Sequence, residues 1–193
     1  GKIHRIHRDG SIPADNPFVG TEGALPSIFS YGHRNPQGLS VHPETGEVWA
    51  VEHGPLGGDE LNRVQAGRNY GWPVISYGIN YDGSVLTEER HRPGMEQPVA
   101  YWRPSIAVSG LAFYEGTLFP RWRHHLLVSA LRDEEVRLLD VYGGRVMHQE
   151  VILKDAGRVR EAVPGPDGAL YVVLNEPNRI LRLTPREERM RGR

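Results

Sequence analysis

The hydrophobic and polar positions form short runs, and helical periodicity is scarce. Alternating or apolar runs recur along the chain, bounded by Gly, Pro, Asp and Asn. Runs of this kind are typical of an all-β domain. The longest, residues 169–174, has the length of a strand, whereas a membrane-spanning helix needs roughly 18 apolar residues. The pattern therefore predicts many short strands joined by tight turns.

One segment repeats along the chain. Residues 42–52 (HPETGEVWAVE) and 165–176 (GPDGALYVVLNE) each place a tight turn before a β-branched and aromatic strand, and a looser copy spans 110–119. A second element also recurs, because GKIHRIHRDG at the start resembles NRILRLTPRE from Asn178. Repeats built from turn-linked short strands predict the blades of a β-propeller.

The repeats account for about three and a half blades, whereas propellers close with four to eight. We therefore expect residues 1–185 to be the C-terminal part of a single propeller domain whose N-terminal portion is not in this chain, with a charged tail at 186–193. We expect the apolar runs to be the inner strands, and the functional loops to lie at one mouth of the channel. The spacing of the repeats is irregular because the region 54–95 is expanded, and long loops in a compact domain are usually functional.

Composition and charge give no sign of a nucleic-acid, membrane or nicotinamide partner. The formal net charge is −1, so no overall field attracts nucleic acid or a membrane surface. The chain has no cysteine, so disulfides give no information about its compartment. No glycine fingerprint for a nicotinamide cofactor lies between a strand and a helix.

Three clusters carry candidate chemistry: YGHRNPQGL at 31–39; EHGP, GDELN and GRNYGWP within 52–73; and GRVRE at 157–161. Each also has a purely structural interpretation. Arg34 could be a solvated turn residue, a buried Trp72 could pin its loop, and Arg158 and Arg160 could share a solvent face, since alternate residues of a strand point to one side. If these three arginines instead face the channel, they form a strongly cationic pocket.

The segments GHRNPQGL, EHGP, GDELN, GRNYGWP, SGLAFY and GPDGALYV occur in this order. Together they resemble the soluble glucose/aldose sugar dehydrogenases that depend on pyrroloquinoline quinone (PQQ), which are six-bladed propellers. The resemblance implies PQQ- and Ca²⁺-dependent oxidation of aldoses to lactones by hydride transfer to the quinone. It also implies a soluble electron acceptor, a periplasmic or secreted location, and a protein that could form a homodimer.

The resemblance also assigns residues. The implied cofactor contacts are Arg34, Asn35, Gly54, Pro55, Tyr81, Ala130, Leu131, Arg132, Arg158 and Arg160. Arg34 would be catalytic, because its charge would stabilise the reduced cofactor, and arginine forks suit the carboxylates of PQQ. The carbonyls of Gly54 and Pro55 would hold the Ca²⁺ that bridges to PQQ. Glu60 and the Tyr70 carbonyl would bind a second, structural Ca²⁺, since Ca²⁺ takes six to eight oxygen ligands.

One element of the family pattern is missing. The family uses an upstream histidine, in a loop resembling Gly-Asp-His, as the general base, and none of the nine histidines here has that context. We interpret His33 and His53 as structural and expect this chain alone to be inactive. Two other functions stay open: a calcium-dependent propeller lactonase, which the three arginines disfavour, and a non-catalytic propeller that binds sugars or another protein.

Overall fold

The structure, a computed structural model, describes residues 1–186 and consists of four antiparallel sheets. Sheet 1 contains β1 (Lys2–His4) and β2 (Ile28–Tyr31). Sheet 2 contains β3 (Pro36–Val41), β4 (Val48–Glu52), β5 (Asp59–Val64) and β6 (Ala100–Trp102). Sheet 3 contains β7 (Val108–Phe113), β8 (Leu126–Ala130), β9 (Glu135–Tyr142) and β10 (Arg145–Lys154). Sheet 4 contains β11 (Arg158–Pro164), β12 (Leu170–Asn175) and β13 (Arg179–Leu183).

In every sheet the strands lie side by side in chain order, so each sheet is a meander. The two clear repeats form the first hairpin of their sheets, β3–β4 and β11–β12. Their turns contain Gly46 and Gly168, whose φ angles of 70° and 79° favour glycine. The looser copy supplies β7, the first strand of sheet 3. The all-β propeller class is confirmed, with two four-stranded sheets flanked by a three-stranded and a two-stranded one.

Sheets 2, 3 and 4 pack against one another through their first strands, with β7 between β3 and β11. The strands come very close, since a Cβ atom on Gly38 would lie 2.7 Å from the Ser109 carbonyl oxygen. First strands that converge in this way are the arrangement that a propeller requires around its axis.

The expectation that the apolar runs are the inner strands is wrong. These runs form the second strands, β4, β8 and β12, whereas the first strands make the contacts between sheets. In β8, Leu126 and Val128 join the core between sheets 2 and 3, while Leu127 joins the core between sheets 3 and 4. A strand covered on both faces requires apolar residues at consecutive positions, which explains the runs.

The three first strands run in the same direction. Ser109, near the start of β7, donates its hydroxyl to the carbonyl of Val159, near the start of β11, at 2.7 Å. At the other end of these strands, the Tyr114 hydroxyl donates to the Gly168 carbonyl. The starts of β3, β7 and β11 therefore lie at one end of the sheets, which we call the site end.

Within residues 1–186, no helix is long and apolar enough to cross a membrane. The predicted charged tail at 186–193 lies, apart from its first residue, outside the described residues.

Candidate functional site

The site end collects most of the residues predicted from the sequence. Arg34 and Asn35 precede the first strand β3, and Arg158 begins the first strand β11. Residues 53–55 follow β4 and residues 131–132 follow β8, and these second strands run antiparallel to the first. Segments that precede a first strand or follow a second strand must meet at the same end of the sheets. The shared location is thus a consequence of topology.

The Arg34 side chain is held by the protein and is half-buried. Its Nη1 donates to the His53 carbonyl oxygen at 3.2 Å, and its Nη2 lies 3.5 Å from the Tyr81 hydroxyl. The guanidinium carbon lies 5.3 Å from the centre of the Trp72 ring and 5.9 Å from that of Tyr81. These cation–π distances orient the charge. Arg34 is therefore not a freely solvated turn residue.

Asn35 ties the loop that contains Arg34 to the loop after β4. Its carbonyl accepts from the His53 backbone N–H at 3.1 Å, and its side-chain Oδ1 accepts from Gln37 Nε2 at 3.0 Å. The His53 ring hydrogen-bonds through Nε2 to the carbonyl of Val108 at the start of β7. His53 thus joins sheets 2 and 3, which agrees with its interpretation as a structural residue.

Glu52, the last residue of β4, is a buried centre of hydrogen bonding, with 4% of its surface exposed. Its Oε2 accepts from the backbone N–H groups of Arg34 and Asn35 at 2.7 and 3.3 Å. Its Oε1 accepts from Asn62 Nδ2 at 2.9 Å and from His33 Nδ1 at 3.0 Å. His33 is fully buried and accepts the Ser30 hydroxyl on its other ring nitrogen. Because both of its ring nitrogens have partners, His33 is structural.

Asp59, the first residue of β5, is a second buried carboxylate, and it accepts the hydrogen bonds that hold the loop after β4. It is 1% exposed. Its Oδ1 accepts from the Gly54 N–H at 3.0 Å and from the Ser105 hydroxyl at 2.7 Å, and its Oδ2 accepts from the Val108 N–H at 3.1 Å. One buried carboxylate thereby fixes Gly54 relative to the start of β7.

Gly54 and Pro55 are buried, and their loop is tightly folded. A Cβ atom on Gly54 would overlap the carbonyl oxygens of Gly57 and Gly58. Only glycine fits here without moving the backbone, and Pro55 has no N–H to oppose a cation. The loop can therefore offer main-chain carbonyls to one ion, the type of ligand that Ca²⁺ accepts.

We expect Gly54→Ala to disrupt this loop in the full-length protein. The overlap should lower the unfolding free energy by about 1–3 kcal/mol and abolish calcium-dependent cofactor binding. Gly116→Ala is a matched control, because its Cβ would overlap the Tyr114 hydroxyl and the Gly168 carbonyl at the opposite end of the sheets. Thermal unfolding should show both losses of stability, and a cofactor titration should be affected only by Gly54→Ala. Normal cofactor binding by Gly54→Ala would contradict the assignment.

Glu60 and Tyr70 border a small cavity beside the same loop. The cavity has a volume of about 10 Å³, enough for one water-sized sphere, and Glu52 and Gly54 also line it. Asn62 Nδ2 donates to both Glu52 and Glu60, so two carboxylates share one amide. Burial, and then the charge of Glu52, raise the pKa of Glu60 to about 8. A cation here would relieve this repulsion.

The segment 130–132 approaches the loop after β4 through one residue. Ala130 and Leu131 are 0% and 5% exposed, so their side chains belong to the core. Arg132 Nη1 donates to the Ser105 carbonyl at 2.8 Å, and the Ser105 hydroxyl binds Asp59. Arg132 therefore lies near the site, whereas cofactor contacts by Ala130 and Leu131 stay predictions.

Arg158 and Arg160 lie at the start of β11, half-buried and exposed respectively. Neither guanidinium forms a hydrogen bond or ion pair with another of residues 1–186. The pairing of β11 with β12 is irregular between Val159 and Glu161, so Arg160 lies at a bulge. At a bulge, successive side chains no longer alternate strictly between the two faces of the strand. That Arg158 and Arg160 point to the same face of β11 therefore stays a prediction.

Sequence reasoning gave no role to Glu52 or Asp59, and it gave Trp72 only the role of a buried residue that pins its loop. The signal was present, since acidic residues at the edges of Gly-rich loops often accept backbone N–H bonds. Their partners could not be identified from the sequence, because Val108 is remote from Asp59 along the chain. Trp72 is half-buried, and the Arg34 guanidinium lies over its ring. It is not the fully buried residue that the structural interpretation of its loop required.

The chain belongs to the Glucose / Sorbosone dehydrogenase family, whose model matches residues 1–182. It is 46% identical over 190 residues to aldose sugar dehydrogenase YliI of Escherichia coli (strain K12). This alignment covers 96% of this chain and 51% of YliI. It is also 46% identical over 232 residues to quinoprotein glucose dehydrogenase B of Acinetobacter calcoaceticus, covering 91% of this chain and 48% of that protein. The chain thus spans about half the length of these relatives.

Solved structures agree. The soluble aldose sugar dehydrogenase of Escherichia coli in its apo-form superposes with a TM-score of 0.90 at 45% identity, covering 96% of this chain and 55% of that one. The PQQ-bound form of an aldose sugar dehydrogenase from Streptomyces coelicolor superposes with a TM-score of 0.73 at 30% identity, covering 95% of this chain and 52% of that one. The resemblance deduced from the sequence motifs is confirmed.

Proposed function

We propose that the full-length protein oxidises the cyclic form of aldose sugars to lactones with PQQ and Ca²⁺. The electrons would pass to a soluble acceptor, and the location would be periplasmic or extracellular. The observation that carries the proposal is the juxtaposition of two loops, because the cation of Arg34 is bound directly to the loop that contains Gly54 and Pro55. When bound, the quinone would accept hydride from C1 of the sugar while Ca²⁺ polarises it.

The residues present fit an acidic, planar cofactor. Arg34 has five N–H donors, of which the protein uses one well and one weakly, so the remainder can face a ligand. Because Arg34 is half-buried, its charge interacts more strongly with a nearby anion than the charge of an exposed arginine would. Arg34 would hold negative charge that develops beside it during oxidation of the sugar, and Tyr81 would flank the same space. Arg158 and Arg160 would bind carboxylates.

The residues also fit calcium. Within the described part of the chain, no three His, Cys, Asp or Glu side chains group as a metal site. The ligands proposed at Gly54 and Pro55 are main-chain carbonyls, which such a grouping does not include. Asp59 fixes the Gly54 N–H and so sets the orientation of this loop. Glu60, with Tyr70 beside the same cavity, would hold the second ion.

The proton of the sugar hydroxyl needs a base, and within residues 1–186 neither His33 nor His53 at the site is free to act as one. His33 is fully buried, and the His53 ring is bound to Val108. We therefore assign the base to the part of the full-length protein outside residues 1–193. Losing a positioned base typically costs about 10²–10⁴-fold in rate, so residues 1–193 alone should turn over negligibly.

Dye reduction tests the proposal. The full-length protein is incubated with Ca²⁺ and PQQ, and reduction of a soluble dye is followed after glucose is added. We expect reduction that requires both additions and that EDTA suppresses, and almost none with residues 1–193 alone. If no aldose reduces the dye and the absorbance of the cofactor does not change, the proposal is wrong and the non-catalytic binding propeller becomes the favoured function.

The calcium site at Glu60 makes a pH prediction. Glu60 has a pKa near 8 in the folded protein, above its ordinary value of 4.5, so the folded state retains the proton. Its contribution to stability is complete below about pH 4.5 and is lost as the pH rises through 8. In calcium-free, full-length protein the melting temperature should therefore fall between pH 5 and 8, and Ca²⁺ should offset the fall.

Glu60→Gln should remove the pH slope and reduce the stabilisation by calcium, since the proposed site at Gly54 and Pro55 is unchanged. Thermal unfolding with and without Ca²⁺ measures both effects. Glu47→Gln is the control, since Glu47 pairs with Arg63 in the same sheet away from the cavity. Equal slopes in wild type and Glu60→Gln would show that another group is responsible.

A further inference from the structure

Two loops from different parts of sheet 2 must be held in register if they bind one ligand. Arg34 and Asn35 lie before β3, and residues 53–55 lie after β4. Neither loop is held by regular strand pairing, since the β3–β4 register is irregular between Pro36 and Gly38. The backbone N–H groups of Arg34 and Asn35 therefore depend on another acceptor.

Glu52 is that acceptor. Its carboxylate lies under the turn and accepts both successive N–H groups, at 2.7 and 3.3 Å, through a single oxygen. Successive backbone N–H groups that converge on one anion form a nest, which fixes the local backbone. The next residue, His53, donates its backbone N–H to the Asn35 carbonyl, and its own carbonyl accepts a hydrogen bond from Arg34 Nη1. One short segment thus holds both the backbone and the guanidinium of Arg34.

The other oxygen of Glu52 is fixed from beneath. It accepts from His33 Nδ1 and Asn62 Nδ2, and the Ser30 hydroxyl binds His33 Nε2. His33 stacks on Tyr70 with the ring centres 4.4 Å apart. With four donors on two oxygens, the carboxylate is saturated and has one available orientation. Ser30, His33 and Glu52 resemble a hydrolytic triad in their order, but they are 0%, 0% and 4% exposed, so substrate cannot reach them.

We propose that Glu52 is the positioning residue of the cofactor site: its carboxylate sets the backbone of Arg34 and Asn35 relative to the Gly54–Pro55 loop, and His33 and Asn62 hold it in place. This inference rests on the proposed function for the identity of the ligand. The contact itself is independent of any ligand, because it exists in the protein alone.

The experiment separates position from charge. In the full-length protein, Glu52→Asp keeps the charge but withdraws the oxygens by one methylene, and Glu52→Ala removes both. Tyr114→Phe is the matched control, because it deletes a buried hydroxyl at the opposite end of the sheets. Two quantities are measured: hydrogen exchange of the Arg34 and Asn35 amides without cofactor, and the PQQ concentration for half-saturation with Ca²⁺ present.

Both Glu52 variants should accelerate exchange at Arg34 and Asn35 and raise the PQQ concentration for half-saturation about 10- to 100-fold, and Tyr114→Phe should change neither. Wild-type exchange and wild-type affinity in Glu52→Asp would overturn the positioning role, since charge alone would then suffice. If wild-type protein does not bind PQQ, the proposed function fails, while the exchange rates still decide whether Glu52 holds the loop.

Discussion

Arg34→Ala in the full-length protein is expected to reduce the rate of sugar oxidation by about 10²–10³-fold. Within the described residues, Arg34 is the arginine whose guanidinium hydrogen-bonds to the loop of Gly54 and Pro55, so its loss removes the charge held against that loop. Its loss removes one hydrogen bond at the surface of the site, about 1 kcal/mol of unfolding free energy. Steady-state dye reduction and thermal unfolding measure the two effects.

Arg182→Ala is the control for Arg34, because Arg182 forms an exposed ion pair with Asp167 on the edge strand of sheet 4. It should retain the wild-type rate. Arg34→Lys should recover only part of the activity, since an ammonium group cannot form the planar fork of arginine. A rate for Arg34→Ala within a few-fold of wild type would remove Arg34 from the catalytic role.

Asp59→Ala is expected to be strongly destabilising. It would leave the N–H groups of Gly54 and Val108 and the Ser105 hydroxyl buried without their acceptor. We expect a loss of about 3–5 kcal/mol in the unfolding free energy, measured by urea denaturation of the full-length protein.

The control for Asp59→Ala is Asp15→Ala, which removes an exposed carboxylate paired with Arg5. Its denaturation midpoint should stay close to that of wild type, because exposed ion pairs contribute little. If Asp59→Ala unfolds at the wild-type midpoint, Asp59 does not organise the loop, and calcium would have to be held by other means.

Much of the fold could be predicted from local pattern. The turns at 45–46 and 167–168 specify hairpins through their own glycines, and the structure forms both hairpins there. The candidate site residues could be named because their motifs resemble those of a known family. The topology then explains why residues before first strands and after second strands meet at one end. The identity of the inner strands was predicted wrongly, because an apolar run does not reveal whether a strand is covered by neighbours on both faces or lies at the axis.

The part that could not be predicted depends on contacts between residues far apart in the chain. The four donors to Glu52 come from two separate segments, residues 33–35 and Asn62. The Ser105 and Val108 groups on Asp59 follow a long connection. The bulge at Arg160 interrupts the alternation of side chains between the two faces of β11, which spacing alone treats as regular. Each of these is decided by packing between sheets, which the hydrophobic pattern does not encode.

In the proposed site, arginines from separate sheets and the carbonyls of Gly54 and Pro55 bind one acidic cofactor. The most direct measurement is calorimetric titration of calcium-loaded, full-length protein with PQQ, comparing wild type with the double variant Arg158→Ala/Arg160→Ala. We predict one PQQ per chain and a dissociation constant at least about tenfold higher in the variant, the loss of two charge-assisted contacts. An unchanged dissociation constant would show that β11 does not face the cofactor and would contradict the proposed site.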